Sequence, residues 1–348
     1  MRLRKQMISE QSLKDPAELL RWMVDVQAQD YFGALWGVGL RLVNGRLPGV
    51  EAAFASGAIL RTHVMRPTWH FVAAEDIRWL LKLTAPRVHT ANAYMYRQQN
   101  LDAKLLEQAH AAIENALRRG RQLTREELKA ELEQAGIEAA GVRLAYIVMH
   151  AELEGLICSG PRRGKQFTYA LLDDRAPQAA RSFNHNEALA QFARRYFACR
   201  GPATLHDFAN WSGLTIAQAG AGLEAAKDGL TAERHDGREF WFAEGGRLQK
   251  QPRIAYLLPN YDEYGSAYKD PSVVFNERHR QQMMDYSFTH LVVIDGKIQG
   301  SWRREIRKNE VAVEPRALDA FSTNDMQLIV EAAQRYQQFL GMDVDLIV

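Results

Sequence analysis

The chain has 348 residues, 47% of them apolar and 25% charged, with a formal net charge of +2. That length exceeds a single small core, and the composition is that of a folded globular protein, which excludes a disordered polyelectrolyte and a fibrous chain. The near-neutral balance also excludes a uniformly basic nucleic-acid coat, so any polyanion-binding surface must come from local clusters.

In chain order, Asp15-Pro16-Ala17-Glu18 reads as a helix start with proline at the first helical position, and the apolar run carries that helix to about residue 26. A second helix is predicted over 32–43 and a short one over 49–56, stopped by Gly57. Strands follow at 59–65 and 68–72, joined through Arg66-Pro67, and a helix at 74–83. The next stretch is more regular. An amphipathic helix covers 105–118; Thr124-Arg125-Glu126-Glu127 is a capping box that opens a helix ending at Gly136; a further helix covers 139–154. Strands at 156–158 and 166–172 flank a basic turn, 159–165. The same order returns with helices at 187–197, from Thr204 and from Thr215, then a hairpin, 230–235 and 238–243, around Asp236-Gly237. The remainder holds a strand at 253–258, a hairpin of 289–294 and 297–302 around Asp295-Gly296, a strand at 310–313 and a helix at 324–340.

Helix, turn, helix and basic-tipped hairpin is the winged helix-turn-helix plan, and its recurrence predicts three units at 1–100, 101–180 and 181–248 with a C-terminal α/β cap at 249–348. The fold class is mainly α with small β hairpins (α+β). Cys158 and Cys199 stand far apart without a second Cys or a His at metal-ligand spacing, so no disulfide, metal or cofactor is expected and a reducing, cytoplasmic setting is. The basic start is not followed by an apolar signal core, and no apolar run approaches the ~20 residues of a membrane span.

Basic residues cluster at Arg118, Arg119, Arg121 and Arg125, at Arg162, Arg163 and Lys165 on a wing tip, and at Arg303, Arg304, Arg307 and Lys308 after the last hairpin; Arg66 stands alone at a strand junction. Winged-helix units place their third helix and wing on DNA, so these residues are candidate phosphate contacts, the alternative being solvated surface charge. Three such units in one chain fit a monomer on double-stranded DNA better than a dimeric repressor, which needs one per subunit.

The stretch Val26-Gln27-Ala28-Gln29-Asp30 lies where the first helix gives way to the second. Helical residues two apart point ~200° apart, so Gln27 and Gln29 can address one ligand only from an extended segment or a helix end. This stretch resembles the glutamine–aliphatic–glutamine motif of the AlkZ/YcaQ-type DNA glycosylases, a family of tandem winged-helix proteins. Further stretches are similar to the same family: Arg66-Pro67-Thr68-Trp69-His70-Phe71-Val72, the more specific Leu257-Leu258-Pro259-Asn260-Tyr261-Asp262-Glu263-Tyr264, and Ile294-Asp295-Gly296-Lys297 with Gly300-Ser301-Trp302-Arg303. Gln-x-Gln, rather than Gln-x-Asp, resembles the crosslink-unhooking branch; Ala28 is a small residue for the middle position.

The resemblance implies a monofunctional DNA glycosylase with Gln27 and Gln29 as its catalytic residues. An amide is not basic near neutral pH, but its carbonyl can hold and orient a water. That suffices when the base leaves unaided, as N7- or N3-alkylated purines do because they carry a positive charge. Asp30 reads either as a general base or as the N-cap of the next helix, the cap being favoured. His70 reads either as a sugar or phosphate contact or as a satisfied structural residue, the second being commoner. Asp262 and Glu263 read as a hydrogen-bonded link between cap and helical units. A non-catalytic DNA-binding regulator and a winged-helix protein adaptor are the alternatives.

Overall fold

The computed structural model describes residues 1–176, 182–245, 252–279, 281–282, 289–308 and 310–347. Asp15 accepts a hydrogen bond from the Glu18 amide (3.0 Å), and Pro16 occupies the first position of the helix Pro16–Met23, where a missing N–H costs nothing. This helix ends short of the expected residue 26. Val24 takes φ 71°, which a β-branched residue adopts only when its surroundings force it. The force is strand pairing. In a sheet of order β1–β3–β2, β1 (Asp25–Gln27) and β2 (Ile59–Val64) flank β3 (Arg66–Ala73), both antiparallel to it. The helices Tyr31–Gly39 and Leu47–Ser56 complete this part, the latter closed by Gly57 at φ 89°.

The helix expected at 74–83 is longer: Ile77–Gln98 runs through Pro86. An interior proline costs ~3 kcal/mol, and tertiary burial offsets it, since Ala85 and Val88 pack on Met149 and Leu153 of the second unit. That unit contains the helices Ala103–Leu117, Arg125–Gln134 and Gly141–Leu153 and the strands β4 (Leu123–Thr124), β5 (Ile157–Arg163) and β6 (Gln166–Leu171). Both halves of the Thr124/Glu127 capping box form. The third unit has His185–Arg200, Leu205–Ser212 and Ile216–Ala226, then the hairpin β7 (Thr231–His235) and β8 (Arg238–Phe242). Its turn residues Asp236 and Gly237 both have positive φ, 47° and 73°, as a type I′ turn requires.

The C-terminal part is a five-stranded sheet of order β13–β12–β11–β10–β9. It comprises β9 (Ala255–Leu258), β10 (His290–Ile294), β11 (Lys297–Ile306), β12 (Glu310–Ala317) and β13 (Asp343–Leu346). The helix Thr323–Leu340 packs on it. β13, parallel to β12, was not expected from the pattern.

Burial follows the tertiary arrangement rather than the repeat. Leu106, Ile113, Leu128 and Ile147 form a core within the second unit. The first unit instead shares its cores. Leu19, Val26, Ala28 and Trp36 pack with Leu257, Trp302 and Tyr336 of the cap, while Val24, Val72 and Leu80 pack with Phe192, Phe208 and Trp211 of the third unit. β1 therefore sits at the seam of both cores. Among the described residues no helix is long and apolar enough to cross a membrane.

Candidate active site

Residues 25–27 form a strand and Gln29 lies in the bend that follows it, so neither glutamine is within a helix, as the spacing argument requires. Gln27 faces His70 across β1 and β3, and the Ala28 amide donates to the Trp69 carbonyl (2.7 Å). Alternation then sorts the side chains. Val26 and Ala28 point into the core, while Asp25, Gln27 and Gln29 share the other side and run from fully buried through half-buried to exposed. Gln27 Oε1 is buried and, among the described residues, has no hydrogen-bond partner. Gln29 Oε1 makes only a long contact with the Trp69 amide (3.5 Å). Two side-chain amides thus stand two residues apart at the end of this strand.

Their backbone is held by three buried charges. The Gln27 amide donates to Glu263 Oε1 (3.3 Å), and Arg61 Nε donates to the Ala28 carbonyl (3.0 Å). Arg200 donates from Nη2 to the Asp25 carbonyl (3.2 Å) and to Asp25 Oδ1 (2.9 Å), and bridges to Glu263 Oε2 (2.7 Å). Trp211 Nε1 donates to the same carboxylate oxygen (2.9 Å). Burial alone would raise the Asp25 carboxyl, but the His70 hydrogen bond and the Arg200 charge hold it below the usual range. Burial lowers Arg61 to about 10, and its guanidinium lies over the rings of Trp69 and Phe167. Asp262 pairs with Arg41 through two bonds (2.8 and 2.9 Å). The Asp262-Glu263 pair therefore links the cap to the helical units, as its sequence context suggested.

Asp30 is the N-cap of Tyr31–Gly39, accepting from the Gly33 amide (3.1 Å). Its other oxygen takes Arg304 Nη2 (3.2 Å). Gly33 leaves room for Asn260, whose Oδ1 would lie 2.7 Å from a Cβ at this position. Asn260 Oδ1, Trp69 Nε1, His290 Nε2, and Arg66 Nε and Nη2 are further buried atoms without partners among the described residues. Asn260 reaches the motif through Gly33, and Trp69 and Arg66 lie on β3 beside it. His290 packs on Trp302 (4.7 Å between centroids) and is pushed down to about 4, first by burial and then by Arg304.

The His290 shift carries a pH prediction. Folded His290 stays neutral while the unfolded chain protonates near the ordinary value of 6.5. Its contribution is thus complete above that value and is lost as pH falls toward about 4. Thermal melts across this window should show a shallower decline for His290→Gln than for the unaltered protein.

A family model for AlkZ-like DNA glycosylases matches residues 20–339. The chain belongs to this family. Its membership makes it a DNA glycosylase. It is 24% identical over 331 residues to the "interstrand DNA cross-link repair glycosylase" of Streptomyces sahachiroi, covering 90% of this chain and 88% of that protein. The solved structure of the S. sahachiroi DNA glycosylase AlkZ superposes with a TM-score of 0.80 at 21% identity, covering 99% of this chain and 97% of the other, and establishes the shared fold.

The residues singled out in the sequence fall in different places. His70 is sealed, with Nδ1 against Asp25 (2.6 Å) and Nε2 against Thr68 Oγ1 (2.9 Å), which fits the structural reading favoured for it. Arg162 does not extend from its wing; it turns inward over Tyr31, Phe32 and Phe167. Arg304 is likewise held by Asp30 and the Tyr336 hydroxyl (3.1 Å) rather than presented to solvent. Arg163 is exposed but pairs with Glu127 (2.6 Å), and Arg118 and Arg121 pair with Glu114 (3.3 Å) and Glu131 (2.9 Å). Arg119, Lys165 and Arg303 are exposed.

Arg61 and Arg200 were missed. For Arg61 a signal existed, a lone cation inside the apolar strand Ile59–Val64. Arg200, at the end of an amphipathic helix, gave none. A cavity lies elsewhere, between Trp36, Arg46, Tyr256 and Arg335.

Proposed function

We propose that the chain excises cationic N7- and N3-alkylated purines from double-stranded DNA, including purines tied across the two strands, by water attack at C1′. The carrying observation is the buried Gln27 Oε1, without a partner among the described residues, two positions before the exposed Gln29 at the end of the strand. In this reading the two side-chain carbonyls accept from the attacking water and aim it at the sugar. No carboxylate is needed, because the charged purine departs as a neutral base through an oxocarbenium-like state. Asp30 acts as helix cap and as counter-charge to Arg304, both of its oxygens being engaged. The cross-link activity named for the S. sahachiroi relative supports extending the substrate range to tethered purines. With Gln29 exposed at the end of the strand, such an adduct could be reached without complete extrusion from the stack.

Release of N7-methylguanine from a defined duplex tests this directly. Free base should accumulate, while undamaged DNA and neutral lesions should release little; intact binding without release would overturn the proposal. The exposed cations make a separate prediction. Arg119→Ala combined with Lys165→Ala should weaken binding to all sequences alike and flatten the plot of log K against log salt by about 0.9 for each phosphate that the variant no longer neutralises.

A further inference from the structure

We propose that His89, His150 and Glu154 form a site for a divalent transition metal, zinc by preference, that clamps the long helix of the first unit to the second unit. The three residues come from two separate helices. His89 lies on Ile77–Gln98 and His150 on Gly141–Leu153, with Glu154 as the C-cap of the latter. Ligand atoms of His89, His150 and Glu154 lie within 4.8 Å of one another. His110, on Ala103–Leu117, stands outside this group and hydrogen-bonds the His150 ring, its Nε2 3.1 Å from His150 Nδ1, a contact that orients that ring.

Two details point to a cation rather than to a self-satisfied cluster. His89 Nε2 is buried and lies 2.9 Å from Glu154 Oε1, yet lacks the alignment of a hydrogen bond. Two ligand atoms aimed past each other are what a shared central ion requires. In addition, Glu154 sits at a helix C-terminus, where the dipole disfavours a carboxylate. Its ion-pair partner among the described residues is a histidine, not a lysine or arginine. A metal at this point would offset both.

Two imidazoles and one carboxylate suit zinc, whose nitrogen and oxygen ligands stand about 2.0–2.2 Å away, with a water completing the tetrahedron. The role assigned to the ion is to join two helices. Its second layer is present: the other ring nitrogen of His89, Nδ1, lies 2.9 Å from the Tyr96 hydroxyl, the kind of contact that fixes the orientation of a ligating ring. The ion would join helices already packed through Ala85, Val88, Met149 and Leu153.

The test uses the full, untagged chain, stripped with a chelator and titrated with zinc by calorimetry, and with cobalt to read coordination from its visible absorption. The expected result is one equivalent bound, a four-coordinate cobalt spectrum and a zinc-dependent rise in Tm. His150→Asn should weaken zinc binding by at least about 100-fold and remove the rise in Tm. His89→Gln combined with Glu154→Gln, at less buried positions, should do the same and serves if His150→Asn fails to fold. Absence of stoichiometric binding, or equal binding by the His89→Gln/Glu154→Gln variant, overturns the proposal.

Discussion

Replacing Gln27 and Gln29 together by alanine is expected to slow N7-methylguanine release by at least about 100-fold, the scale on which misplacing a reactant acts, with DNA affinity nearly unchanged. Neither side chain belongs to the apolar core clusters, so truncation removes amides rather than core contacts. Single-turnover kinetics on a short duplex reads the step directly. Because an amide does not titrate near neutrality, the rate should also stay flat with pH where a carboxylate or histidine base would impose a limb. Asp30→Asn separates the two schemes. Asparagine caps a helix about as well as aspartate, so activity should stay within about tenfold if Asp30 is a cap. A loss as large as that of the double glutamine variant would make Asp30 the base and end the paired-amide mechanism.

The second large effect is expected at Arg200. Its guanidinium is fully buried and holds two carboxylates, Asp25 (2.9 Å) and Glu263 (2.7 Å). Arg200→Met keeps much of the volume but strands both acids, a change that costs about 3–5 kcal/mol when one partner of a buried pair is removed. For a chain of this size that is roughly 4–7 °C in Tm, measurable by calorimetry or denaturant unfolding.

The acid limb should move as well. With Arg200 present the Asp25 carboxyl is held below its usual range, so its contribution is present above the unfolded value near ~3.9 and is lost only as pH falls through the lower folded value. Without Arg200, burial acts with less opposition, and acid unfolding should begin at higher pH. Base release should fall too, because Glu263 also accepts the Gln27 amide. A stable Arg200→Met variant with normal release would show that the network is not what positions the motif.

The amino-acid sequence by itself determined those features whose causes lie within a few residues. The capping box at Thr124 and Glu127, the positive φ of Asp236 and Gly237, and the proline-opened helix at Pro16 follow from local hydrogen bonding and sterics. So does the requirement that Gln27 and Gln29 leave the helix if they act together, which is a matter of 100° per residue. The tertiary structure decided what depends on distant partners. The first helix stops at Met23, not at the expected 26, because Asp25–Gln27 pairs with β3 some 45 positions on. Arg200 meets Asp25 across 175 positions, and Arg162 and Arg304 turn inward because aromatic rings and Asp30 await them there. The histidine cluster gathers from three helices in the same way. Periodicity reports which side of an element is apolar, but a buried charge is placed by whatever opposite charge the fold brings to it, and that information resides in the packing of the whole chain.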